Sequence, residues 1–127
     1  MTGAMIRIVG VQKSDNIGQE FVLLQNQGSM RVKLKGHAVV AEAALKGGEQ
    51  SSAVHLFTDE TDVMPGQYIL LRTCMGSSHW STTAEGQRVY YTHMDRIGPV
   101  WNRNSGPLHV LAPQHTFSER SVDAILV

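Results

Sequence analysis

Cysteine is nearly absent from this chain of 127 residues, with Cys74 its single representative. One thiol cannot close an intramolecular disulfide, so nothing here requires an oxidising compartment. Long apolar runs are missing as well, and no stretch reaches the ~20 residues of a membrane-spanning helix. The opening MTGAMIRIVGV has neither a basic n-region nor a long apolar h-region, so no secretory leader is expected and the cytoplasm is the default compartment. Charge of one sign is not in excess either: eleven basic and eleven acidic residues balance to zero. A neutral chain lacks the long-range field that gathers proteins on phosphate backbones, which disfavours nucleic acid as the main partner. Convincing helical periodicity is the last absence. Ala-Glu-Ala-Ala-Leu-Lys, residues 41–46, is too short for an independent helix, and Gly47-Gly48 with Ser51-Ser52 turns that region into a loop.

What is present is a series of short β patterns. Residues 6–11 are rich in β-branched side chains, with Ile6, Ile8 and Val11 on one side and Val9 opposite. The stretch EFVLLQNQGSMRVKLKG, residues 20–36, reads as two strands of one antiparallel sheet joined at Gln27-Gly28-Ser29. In its first half Phe21 and Leu23 occupy one face and Val22 and Leu24 the other, so both faces are apolar. In its second half Met30, Val32 and Leu34 alternate with Arg31, Lys33 and Lys35. Further strands are predicted over residues 37–40, 54–58, 67–72, 89–92, 108–111 and 122–127. Pro65-Gly66 suits the central positions of a type II turn ahead of QYILLR. Residues 75–88 are rich in Ser, Thr and Gly, and read as a long connection, functional or mobile. One domain is expected across residues 1–127. About eight or nine short strands between turn signals predict an all-β antiparallel sandwich or barrel.

Several of these pieces together resemble the lamin-tail domain, an immunoglobulin-like β-sandwich. They are IRIVGV, EFVLLQNQG, the LKG at residues 34–36, the LF at 56–57, MPGQYILL from Met64 and VWNRNSGPLHVL from Val100, covering residues 6–111 or so. The order of the pieces carries the resemblance more than any one of them. His37 stands where the family usually has tryptophan, Pro107 follows Gly106 where Gly-Asp is common, and Leu23 stands where the family is often acidic. The resemblance implies an immunoglobulin-like sandwich acting as a stand-alone, bacterial-type interaction module without catalysis. Independently of the family, Trp101 offers a large core plug, and Asn26 and Asn102 are able to bond backbone groups at strand ends.

Candidate chemistry is sparse. Six histidines, at 37, 55, 79, 93, 109 and 115, lack the helical i, i+4 pair or Cys-x-x-Cys spacing of a zinc site, although His109 and His115 flank a predicted turn. No metal and no cofactor is expected. Cys74 and His79 lie near each other in sequence, but a cysteine enzyme needs its base placed in space, and a buried thiol at a strand end is the simpler reading. Neither a glycine-rich phosphate loop nor a Gly-x-Ser-x-Gly elbow occurs.

A non-catalytic module that binds a protein partner or its own copy is therefore the first expectation. Its candidate contact residues are Phe21 and Leu23 on a strand face and Trp80, Tyr90 and Tyr91 as exposed anchors, with core or intraloop packing the equal alternative for Trp80. Two alternatives remain. One is an accessory nucleic-acid-binding domain using Arg31, Lys33, Lys35 and Arg72, although charges alternating along an edge strand also guard against aggregation. The other is a metal- or cysteine-dependent hydrolase.

Overall fold

A computed structural model describes residues 5–46 and 53–113. The loop predicted at 47–52, His115 and the strand predicted at 122–127 lie outside the described residues.

The chain forms an all-β sandwich. Ten strands occur among the described residues: β1 (Ile6–Gln12), β2 (Phe21–Asn26), β3 (Val32–Lys33), β4 (Ala38–Ala41), β5 (Val54–Leu56), β6 (Asp62–Val63), β7 (Tyr68–Arg72), β8 (His79–Thr82), β9 (Arg88–His93) and β10 (Leu108–Leu111). A single helical turn, α1 (Glu42–Leu45), follows β4. One layer is a five-stranded sheet in the order β1-β2-β7-β9-β8. Opposite it lie a three-stranded sheet, β10-β4-β5, and the two-stranded ribbon β3-β6. All pairings are antiparallel except β7 with β9.

The alternation of each strand divides its residues between core and outside. Val22 and Leu24 of β2 and Ile69 and Leu71 of β7 meet Leu34, Val39, Phe57 and Val63 from the other layer in one buried cluster. Trp101 sits in that cluster fully buried, as expected of a core plug. On β1 the register jumps between Ile8, paired with Leu24, and Gly10, paired with Leu23. The extra residue is Val9. This bulge keeps Ile6, Ile8 and Val11 in phase across an odd spacing.

The turn at Pro65-Gly66 is as predicted. Gly66 has φ +86°, the left-handed value that glycine adopts freely, and Gln67 N–H donates to Met64 O at 3.1 Å.

Two expectations need correction. Residues 20–36 do not form a hairpin within one sheet. β2 has β1 on one side and β7 on the other, whereas β3 pairs with β6 in the opposite layer. The buried Asn26 amide redirects the chain: its Nδ2 donates to Met30 O and Val63 O at 2.9 Å, and its Oδ1 accepts from Gly28 N–H at 2.9 Å. Only Leu34 of the alternating apolar set is fully buried, and Met30 is 61% exposed.

Residues 75–88 are not a long connection. They contain β8, which forms a hairpin with β9. Thr83 N–H donates to Gln87 O at 2.8 Å and Gly86, at φ +88°, closes the turn. Ser and Thr mask the alternation of this strand, because Trp80 is its one residue packed against the core and its neighbours His79, Ser81 and Thr82 are all polar.

Candidate functional site

The five-stranded sheet has an unusual outer face. By alternation the positions opposite the core face are Phe21 and Leu23 on β2, Tyr68 and Leu70 on β7, and Val89 and Tyr91 on β9; Val89 is itself buried and the other five are half-buried. The register aligns them in rows: Gly10, Leu23, Leu70 and Tyr91 in one, Gln25, Tyr68 and Val89 in the next. Gly10 has no side chain to cover the flank of Leu23. An antiparallel sheet with a solvated face ordinarily carries polar residues at such positions.

Leu23, Tyr68, Leu70, Val89 and Tyr91 line an open hollow of about 530 Å³, whose far wall is the β8–β9 turn with Glu85 and Gln87. His79 extends the central row by stacking on Tyr91, with rings 5.0 Å apart and 1° from parallel. Polar groups rim the patch at its end, where Phe21 pairs with Arg72 and the Arg72 guanidinium donates to Gly18 O at 2.7 Å.

Phe21, Leu23 and Tyr91, expected as contact residues, thus share one surface. Trp80 and Tyr90 do not. They project from the same sheet toward the core, where Tyr90 is buried and Trp80 packs against the cluster. Trp80 Nε1–H donates to Thr61 Oγ1 at 3.1 Å and its ring lies 5.2 Å from that of Tyr90. Tyr90 donates its hydroxyl proton to Asp59 Oδ2 at 2.9 Å, which also accepts from Thr92 at 3.0 Å. The exposed-anchor reading of Trp80 and Tyr90 is corrected by this strand phase. Sequence reasoning missed Tyr68, Leu70 and Val89; the apolar run QYILLR signalled the strand, but not which partner would align its outer residues.

The basic set is dispersed. Arg31 lies 3.6 Å from Asp62 and Lys35 bonds Glu60 at 2.8 Å, so β3 and β6 present a mixed-charge strip. Arg72 belongs to the other layer.

The described histidines are scattered too. His37 is buried, with Nδ1 3.1 Å from Leu34 O, and burial lowers its pKa. His55 stands edge-on to Phe57, and its pKa is also lowered, first by burial. His93 lies against Gly76, and burial followed by the nearby Arg72 charge lowers its pKa. His109 sits 3.3 Å from Glu42. Among the described residues no three His, Cys, Asp or Glu side chains are grouped to hold a metal ion. Cys74 is half-buried rather than buried, and His79, its imagined base, is engaged with Tyr91 and with Ser77 O at 2.9 Å.

A different residue organises the end of the sandwich. The buried Glu20 carboxylate accepts backbone N–H groups of Val100 at 2.9 Å, Trp101 at 3.2 Å and Asn102 at 2.8 Å, and the Thr73 hydroxyl at 2.7 Å. Asn102 uses its side chain on Asp15 at 2.6 Å rather than on backbone, while Asn104 Nδ2 donates to Val100 O at 2.7 Å.

The fold and this surface define an all-β sandwich with one apolar outer sheet face. Comparison with protein-family models, with curated proteins and with solved structures finds no match. No helix among the described residues is long and apolar enough to cross a membrane.

Proposed function

We propose that this chain is a non-catalytic interaction module, similar to lamin-tail domains, that binds a protein partner or a second copy of itself through the outer face of the five-stranded sheet. One observation carries the reading: Phe21, Leu23, Tyr68, Leu70, Val89 and Tyr91 align on a face where alternation calls for polar residues. Contiguous apolar patches with polar rims mark interaction surfaces more often than they mark plain solvent boundaries. Aromatic residues at the centre of such a patch supply large contact area at low entropic cost. A second copy is the partner to test first, because a neutral chain does not repel itself and a two-fold pair needs only one self-complementary patch.

Light scattering across a dilution series, at low and high salt, tests this directly. Wild-type protein is expected to gain mass with concentration, and Leu23→Glu to remain monomeric with an unchanged urea midpoint. If Leu23→Glu unfolds instead, the face is core and the reading fails. A wild type that stays monomeric throughout removes self-association and leaves only a foreign protein for this face. The nucleic-acid alternative draws no support from Arg31 and Lys35, whose charges are matched by Asp62 and Glu60.

A further inference from the structure

The five-stranded sheet has two edges among the described residues, β1 and β8. An open edge leaves a row of backbone N–H and C=O groups free to pair with another strand, and proteins ordinarily guard it with a charge, a proline, a bulge or a cover. β1 is guarded: the bulge at Val9 interrupts its ladder, the exposed Arg7 lies on it, and β10 runs beside it along a shared hollow. β8, with the sequence His79-Trp80-Ser81-Thr82, has no bulge, no proline and no Lys, Arg, Asp or Glu side chain.

Backbone register identifies the groups left open. Thr83 N–H donates to Gln87 O at 2.8 Å, which makes that pair a hydrogen-bonded one. Bonded and non-bonded pairs alternate along an antiparallel ladder, so Ser81 with Val89 and His79 with Tyr91 are bonded, while Trp80 and Thr82 turn their N–H and C=O away from β9. No other element among the described residues takes up those two N–H and two C=O groups. Side chains hold the strand in place. Trp80 Nε1–H bonds Thr61 in the other layer at 3.1 Å, and Thr82 Oγ1 accepts from the Arg88 guanidinium at 3.0 Å. Arg88, the charged residue paired with Thr82, has that guanidinium 5.2 Å over the Trp80 ring, so its charge rests on the ring and not on the open backbone.

Donors and acceptors repeated at every second residue match one ligand chemistry, an extended polypeptide backbone. We propose that β8 takes up a short extended segment of another protein as a sixth, antiparallel strand, bonded at Trp80 and Thr82. The segment has no proline at its two bonding positions, and β-branched residues suit it. A second copy is the poorer occupant, because a four-residue edge about 14 Å long falls far short of the ~800 Å² per partner that a stable dimer buries. A short linear segment binds weakly and reversibly on the same contact. This site goes beyond the outer-face reading: it uses backbone groups at the edge of the sheet, three strands away from Leu23.

Nuclear magnetic resonance of the full chain, titrated with an end-capped octapeptide of alternating threonine and valine, provides the test. In the free protein the Trp80 and Thr82 amide protons should exchange rapidly with solvent, and those of His79 and Ser81 slowly. Added peptide should shift and protect the Trp80 and Thr82 amides, and the same peptide with its central residues N-methylated should not. Thr82→Pro should weaken binding about fivefold or more, since it removes one bonding N–H. Its urea midpoint should match wild type, because that N–H bonds nothing in β9, whereas Ser81→Pro breaks the bond to Val89 and should lower the midpoint. Leu23→Glu should bind the peptide as wild type does, which separates this site from the outer face. The proposal is overturned by Trp80 and Thr82 amides protected before peptide is added or unmoved after it, by equal binding of the methylated peptide, or by loss of binding in Leu23→Glu. A dimer that Thr82→Pro dissolves also overturns it, by giving the edge to a second copy.

Discussion

Glu20 fixes Trp101 from 81 residues away in sequence: its buried carboxylate accepts the Trp101 amide proton at 3.2 Å and holds the amides on either side of it. Trp101 is the largest fully buried side chain among the described residues, so the tie places the main core plug. The 3-10 turn that carries Trp101 has its first N–H groups satisfied by this charge. One carboxylate therefore joins the start of β2, the end of β7 through Thr73, and the segment leading into β10.

Glu20→Gln should destabilise the protein by about 2–4 kcal/mol, since it removes charge-assisted bonds and sets an amide N–H₂ against backbone donors. Urea unfolding at neutral pH checks this. Burial alone would raise the Glu20 pKa, but bonds from Val100, Thr73, Trp101 and Asn102 outweigh it, and the pKa lies below the ordinary value of 4.5. A carboxyl depressed on folding contributes stability above its unfolded pKa and loses it as pH falls through the folded value. Wild-type stability should accordingly fall below about pH 4.5 more steeply than that of Glu20→Gln.

Histidine titration acts in a higher window. His37, His55 and His93 all have pKa values lowered from 6.5, in each case first by burial. Each is held neutral when folded and takes up its proton more readily when unfolded. Stability is then complete above about pH 6.5 and declines as pH falls. The urea midpoint should drop between pH 7.5 and pH 5.5, and His37→Gln should shrink that drop. A midpoint independent of pH over this range would contradict the burial of these rings.

Gly76 is constrained by contact rather than by turn geometry. A Cβ there would fall on the His93 imidazole, 2.6 Å from Cδ2 and 2.7 Å from Cε1. Gly76→Ala should cost about 1–3 kcal/mol through this overpacking. The double variant with His93→Ala should cost less than the sum of the two single changes, as a double-mutant cycle would measure.

Trp80 and Tyr91, near neighbours across β8 and β9, should separate stability from association. Trp80→Phe loses the bond to Thr61 and part of its ring contact with Tyr90, and should cost about 1–2 kcal/mol while leaving self-association unchanged. Tyr91→Ala should do the reverse, weakening association at modest cost in stability. If Trp80→Phe abolishes association without loss of stability, the inward assignment of Trp80 has no functional meaning and the outer-face reading fails.

Much of the fold is legible in single stretches. QYILLR after Pro65-Gly66 and LHVL after Asn104-Ser105-Gly106-Pro107 become β7 and β10, because a fixed proline φ, a positive glycine φ and β-favouring side chains act within a few residues. Half of the outer face is legible as well: the apolar faces of residues 21–24 follow from a period of two. β8 is hidden because its residues are polar apart from one tryptophan, and residues 20–36 suggest a hairpin that Asn26 breaks by turning the chain toward β6 with its side-chain amide.

By itself, then, the sequence determined most of where the chain extends and turns, that no intramolecular disulfide can form, and that its net charge is zero. Tertiary structure alone decided that β7 would lie parallel to β9, that Trp80 and Tyr90 would face inward while Tyr91 faces out, and that Glu20 would meet the backbone around Trp101. Local preference is a property of a few consecutive residues and their φ and ψ angles. Strand partners, burial and the neutralisation of a buried charge depend on groups tens of residues apart, and only the closed core brings those together.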